Sequence, residues 1–299
     1  MKIRDLFRSQ AQTFSFEFFP PKTVEDIDLL FERARELKPL GPSFISVTYG
    51  AGGSTRRNTI DIVCRMQEEL RMVAVAHLTC VGHSQAELRD VLAELKSRGV
   101  ENLMCLRGDP PKGQTNFVPA PDGFANAYQL VRLARSLGDF CIGVAGYPEA
   151  HPECPDKDLD LQRLKEKVDC GADFITTQLF FDNKDYFDFC RRARALGITA
   201  RIIPGVWPIT NYKQIQRVAQ MCGATLPAEL LRRLEPVAED QQAVFEIGVE
   251  WAWRQCEELL TGGAPGIHFY TMNRSHATQR IFEHLRESSV KGMLPTVAA

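Results

Sequence analysis

The sequence predicts an α/β chain closed into a single (β/α)8 TIM barrel with extra helices before the last strand. Three observations carry this. Eight short β-rich runs recur along the 299 residues, amphipathic helix-length segments separate them, and no low-complexity linker interrupts the series. Parallel neighbours need a crossover, so strands alternating with helices indicate a parallel sheet, and eight units favour a closed barrel over a doubly wound sheet. One domain over residues 1–299 is expected.

The first run, FSFEFF, puts Phe14, Phe16 and Phe18 on one face and Ser15 and Glu17 on the other, because successive strand residues point to opposite sides. The phenylalanines suit packing under helices, so Glu17 points into the barrel near the C-terminal end of its strand. There it is either a structural carboxylate paired to an arginine or a general acid, whose pKa burial would raise toward ~6–7. In the second run Ile45 and Val47 alternate against Ser46 and Thr48. The loop that follows, YGAGGSTRR, lacks the third glycine of G-x-G-x-x-G because Thr55 stands there, and is read as a βα loop ending in a Ser54 helix cap, with phosphate contact as the alternative.

The third run, VAVAHLT, carries His77, a core histidine or else a ligand or base. The fourth ends in Arg107-Gly108-Asp109 before a proline-rich loop that reaches Gly123 and is long enough for a lid. That triplet is either a rim salt bridge or a cation and a carboxylate delivered together, with Gly108 permitting close backbone approach. After the fifth run come Tyr147 and His151 among prolines. Asp160, Arg163 and Lys167 then share a helix face, as a solvated stripe or a hold for a large anionic cofactor. The sixth run turns Thr176 and Gln178 inward, where the Gln178 amide suits a heteroaromatic ring. RIIPGVW and GIHFYTM complete the series. The interval from Gly205 to Gly263 is too long for one crossover helix, and Tyr212, Gln214 and Arg274 offer further polar contacts.

With 36 basic against 38 acidic residues, no net field recruits nucleic acid or an anionic membrane. The N-terminus lacks a signal-peptide run and no 18 consecutive apolar residues occur, so a cytoplasmic protein is expected. The nine cysteines never form C-x-x-C and read as free thiols; H-E-x-x-H and the P-loop motif are absent, and no metal is expected.

Taken in order from Phe14 to Arg274, FSFEFFPPK, VTYGAGGS, AHLT, LRGDPP, VAGYPEAHPE, TQLFFD, IIPG and HFYTMNR resemble the methylenetetrahydrofolate reductase family, in its short bacterial type without a regulatory domain. The resemblance implies reduction of 5,10-methylenetetrahydrofolate to 5-methyltetrahydrofolate, with FAD as cofactor and NAD(P)H as donor, feeding methionine synthesis by ping-pong kinetics. Control by S-adenosylmethionine through a regulatory domain is not expected. The resemblance implies that Glu17 is the proton donor and that Asp109 orients the substrate and influences the flavin. It implies FAD contacts from Thr48, His77, Arg107, Gly108, Asp109, Asn126, Ala127, Tyr147, His151, Asp160, Arg163 and Lys167, and folate contacts from Glu17, Gln178, Gln214 and Arg274. Asn126 stands where a tyrosine is often seen. Val218 occupies a place where some relatives carry a stacking phenylalanine, which leaves nicotinamide stacking and the choice of NADH or NADPH open. A homo-oligomer is expected. Two alternatives stand beside this reading: a flavin-free lyase, which would want a strand lysine or a metal cluster that the eight runs do not provide, and a flavoprotein subunit fed by a partner protein.

Overall fold

The computed structural model describes residues 1–21, 23–49, 56–110, 113 and 116–290. The loop at 50–55 with its expected Ser54 cap, and part of the loop after Pro110, lie outside them. Helix α1 (Ile3–Ser9) precedes a parallel sheet of β1 (Thr13–Phe18), β2 (Phe44–Val47), β3 (Ala74–Thr79), β4 (Asn102–Leu106), β5 (Cys141–Gly146), β6 (Phe174–Thr177), β7 (Arg201–Ile203), β8 (Gly205–Val206) and β9 (Gly266–Tyr270). Their order, β7-β6-β5-β4-β3-β2-β1-β9-β8, brings the chain round into a barrel.

The wall holds nine segments where eight runs were read, and Pro204 is the reason. A proline has no N–H to give a ladder, so RIIPGVW divides: β7 pairs with β6, β8 pairs with β9, and the Pro204 carbonyl accepts from the His268 N–H at 2.9 Å. The Gly205 N–H is taken by Thr177 Oγ1 at 2.9 Å. Together β7 and β8 make the one wall segment that closes the ring.

Crossovers run through α2 (Val24–Leu37), α3 (Arg56–Glu69), α4 (Gln85–Ser97), α5 (Ala127–Leu137), α6 (Lys157–Asp169) and α7 (Asn183–Ala195). The expected extra helices are α8 (Tyr212–Cys222), α9 (Ala228–Leu234) and α10 (Gln241–Thr261), and α11 (His276–Val290) follows β9. Side-chain caps set several starts: Ser84 and Glu87 form a capping box on α4, and Asp156, Asp182, Asn211 and Asp240 accept from first-turn amides of α6, α7, α8 and α10. None of the helices among the described residues is long and apolar enough to cross a membrane.

The alternation read from the first strand holds. Phe14, Phe16 and Phe18 are buried in the core under the helices, and Phe282 of α11 meets Phe14 and Phe16 edge-on at 5.2 and 5.5 Å. Inside the barrel a gradient runs along the axis. Phe44, Val75, Met104, Cys141, Phe174 and Ile203 form an apolar floor closed from below by Ile3 and Leu6 of α1. Two residues further along the same strands stand Ser46, His77, Gly143 and Thr176. At Gly143 an added Cβ would meet the Phe174 ring at 2.4 Å, so only glycine leaves that ring its place.

Candidate active site

Polar residues collect at the C-terminal mouth, the end at which barrel chemistry is built. Glu17 lies there on β1, buried with 6% of its surface exposed. Its Oε2 is 3.3 Å from His268 Nε2, 3.4 Å from His77 Nε2 and 3.4 Å from Ser46 Oγ, which donates to it. A carboxylate only accepts, so His268 Nε2 carries the proton, and its Nδ1 accepts from Ser15 Oγ at 2.7 Å. Phe44 stacks on the His268 ring. Thr271 Oγ1 donates to the Glu17 carbonyl at 2.5 Å and fixes the backbone at the strand end.

This environment corrects the expectation of a raised glutamate. Burial does push the Glu17 carboxyl up, but the hydrogen bond from His268, the charges of His77 and His268 and the Ser46 hydroxyl outweigh it and hold the group below its ordinary value. His77 is itself pushed down, chiefly by burial, against the pull of Glu17. Among the described residues no arginine pairs with Glu17; its partners there are His268, His77 and Ser46.

A second cluster lies on the loops after β4 and β5. Arg107 does not pair with Asp109. It forks onto Glu153 at 2.6 and 2.7 Å and covers the Phe117 ring at 4.8 Å. Tyr147 meets His151 edge-on at 4.6 Å, and burial followed by the Asp109 charge raises its phenol. Asp109 is exposed at the rim, and its charge also reaches Cys222. The i, i+3, i+7 stripe on α6 divides: Arg163 is exposed, whereas Lys167 turns in, gives Nζ to the Ala145 carbonyl at 2.6 Å and is lowered by burial to about 8 despite Asp160.

The other expected contacts ring this mouth without joining either cluster. Thr48 follows β2, its carbonyl held by Thr59. Asn126 caps α5, its N–H given to Gln129, with Ala127 next along. Gln178 turns its Oε1 back to the Leu179 N–H at 2.9 Å, which leaves its NH2 as the free end. Gln214 is half-buried in the first turn of α8, and Arg274 donates to Thr210 Oγ1 at 3.3 Å. Val218 packs partly buried against the core under α8 and α10. Sequence reasoning turned Ser15 inward beside Glu17 without giving it a role, and missed His268 and Glu153. His268 had a signal, since alternation in GIHFYTM puts it inward with Tyr270; the reach of Glu153 to Arg107 had none.

The family model described as Methylenetetrahydrofolate reductase matches residues 2–286. The chain belongs to the methylenetetrahydrofolate reductase family. It is 42% identical over 313 residues to methylenetetrahydrofolate reductase (NADH) 1 of Arabidopsis thaliana, covering 99% of this chain and 53% of that protein. To 5,10-methylenetetrahydrofolate reductase of Pectobacterium carotovorum it is 36% identical, over 95% of this chain and 91% of the other. The chain thus spans about half the length of its plant and yeast relatives. Among solved structures, a Clostridium thermocellum protein described as binding two copies of 5-methyl-5,6,7,8-tetrahydrofolic acid superposes with a TM-score of 0.65 at 13% identity, over 97% of this chain and 100% of that one. That likeness shows the barrel alone. On this barrel, the Glu17 cluster and the Arg107 cluster share one mouth.

Proposed function

We propose that the chain reduces 5,10-methylenetetrahydrofolate to 5-methyltetrahydrofolate, with FAD as bound redox group and NAD(P)H as donor. The names of its plant relatives favour NADH. The observation that carries the reading is Glu17, a carboxylate buried at the mouth against two histidines in a chain of this family.

The residues at the mouth fit a flavin nucleotide. Arg107 and Lys167 supply cations for its phosphates, and Tyr147 with His151 supplies an aromatic wall. Gly108, at φ +88 with Val81 Cγ1 2.6 Å from where a Cβ would lie, keeps the loop close to the strand ends. Buried hydroxyls of Thr79 and Thr176 lack partners. When bound, FAD would take hydride from the nicotinamide and deliver it to the folate.

The protein's own part is proton supply and orientation. Glu17 gives a proton to the bridging amine nitrogen of the folate, which opens the five-membered ring to the iminium that accepts hydride. Because Glu17 rests ionised, it takes up a proton before the step; His268 and His77, whose Nε2 atoms stand 3.3 and 3.4 Å from Oε2, relay it only as each ring gains a proton at its second nitrogen. Asp109 orients the pterin from the rim, and Gln178, Gln214 and Arg274 contact the folate.

The test is anaerobic. NADH should bleach the oxidised-flavin band of the FAD-loaded protein, and methylenetetrahydrofolate should restore it. Failure to hold FAD would sink the reading. Binding without bleaching by NADH or NADPH would point to a protein electron donor.

A further inference from the structure

We infer that Phe44, Phe174 and Phe7 are positioning residues for His268: a column of rings rising from α1 seats the imidazole that meets Glu17, and ties its alignment to the closed end of the barrel. The inference rests on the reading of Glu17 as proton donor.

The starting point is how loosely polar contacts alone hold His268 against Glu17. Ser15 Oγ anchors Nδ1 at 2.7 Å, but Nε2 reaches Oε2 only at 3.3 Å. That is long for an N–H donor to a carboxylate, where 2.7–2.9 Å is usual, so a small shift of the ring decides whether the contact is kept. What the ring packs against therefore sets its plane. Phe44 lies 6.5 Å from it, centroid to centroid, and within 21° of parallel, while Tyr270 stands across it at 90° and 5.3 Å. The Tyr270 hydroxyl is spent on the Thr177 carbonyl, so that residue is fixed from the wall; Phe44 is fixed from below.

Four of the six floor residues, Val75, Met104, Cys141 and Ile203, fill space with flexible or branched side chains. The two flat ones stand in line. Phe174 meets Phe44 at 6.1 Å and 60°, and Phe7 of α1 meets Phe174 edge-on at 5.7 Å. Phe44 and Phe174 are fully buried, and the missing Cβ of Gly143 is what leaves the Phe174 ring its place. Phe7, half-buried, is gripped from its other side by Arg201 at the start of β7. That guanidinium covers the Phe7 ring at 4.6 Å and donates to the Phe7 carbonyl at 3.4 Å, the Gln10 carbonyl at 3.2 Å and the Ala11 carbonyl, a cation set on the C-terminal end of α1. The column thus runs Arg201, Phe7, Phe174, Phe44, His268, Glu17. Rings packed at interior density have few other arrangements open to them, so a change at Phe7 is felt at Phe44.

Phe44→Met keeps the bulk without the flat face, Phe7→Leu acts at the far end of the column, and Phe7→Tyr keeps the ring there. Two readouts are taken on the full chain. In the FAD-loaded protein, flavin reoxidation by methylenetetrahydrofolate should slow about 5- to 20-fold in Phe44→Met and about 2- to 5-fold in Phe7→Leu, with Phe7→Tyr at the wild-type rate and flavin reduction by NADH within about 2-fold throughout. In the chain labelled with 15N-histidine, the imidazole signal that His268→Gln assigns should move in Phe44→Met and Phe7→Leu. The signals of His276 and His284, stacked on Phe245 and Trp253 of α10, should stay in place and report an intact fold. Wild-type reoxidation in Phe44→Met or Phe7→Leu would overturn the inference, as would an unmoved His268 signal, equal slowing of both half-reactions, or a Phe7→Tyr variant that behaves like Phe7→Leu. If Glu17→Gln reoxidises flavin as fast as wild type, the proton-donor reading fails instead, and the His268 signal still decides whether the column seats the imidazole.

Discussion

Glu17 shows how much one residue's surroundings decide. Its inward direction and burial were readable from alternation in FSFEFF, but the sign of its titration was not. That sign comes from His268, which is 251 positions away in the chain and reaches Glu17 only because β9 pairs with β1. Glu17→Gln keeps the shape and hydrogen-bonding reach but carries no proton to give. Folate reduction should fall by at least ~10²-fold, while flavin reduction by NADH changes far less, as stopped-flow measurement of the two half-reactions would resolve. Equal losses in both would remove the proton-donor role. Ser15 acts at one remove, and Ser15→Ala should shift the pH profile of folate reduction more than it changes the affinity for folate.

Among the elements, the strands and the added helices were legible because period-2 runs and interval lengths reflect local chemistry. The division at Pro204 was visible as a residue but not as a consequence, since it depends on which neighbours β7 and β8 find. Loop-to-loop contacts were the least legible. The Arg107–Glu153 fork joins the loop after β4 to the loop after β5, and no spacing rule links residues 46 apart. It also holds a cation that the flavin reading assigns to the cofactor. Glu153→Gln should therefore tighten FAD binding by about 2- to 5-fold at low salt, a gain that fades as salt screens the pair. Weaker binding would instead make Glu153 a support for Arg107. Inside the wall, Gly143→Ala drives a methyl into the Phe174 ring and should cost about 1–3 kcal/mol, read as a lower denaturation midpoint; pairing it with Phe174→Leu should recover part of the loss.

For the whole molecule, the polar mouth ties stability to pH. The Glu17 carboxyl is held below its ordinary 4.5, so its contribution is complete above that value and is lost as pH falls further. His77 is held below 6.5, so the folded state binds its proton less readily than the unfolded chain, and stability declines as pH drops through that value. Melting temperature should fall in two stages as pH drops below about 7. His77→Gln should shrink the upper stage, with His151, also pushed down by burial, supplying the rest, and leave the lower one. Mechanically, the wall is a hoop with a clasp. Along β1 and β9 five residue pairs share the load, whereas β8 meets β9 through two. The Tyr270 hydroxyl on the Thr177 carbonyl at 2.6 Å acts as a rivet beside that short seam. Under tension or thermal breathing the hoop should part there first. His268 lies in that seam, in register with Gly205, so widening the mouth there would loosen the partner that holds Glu17, while His77 on β3 keeps its place.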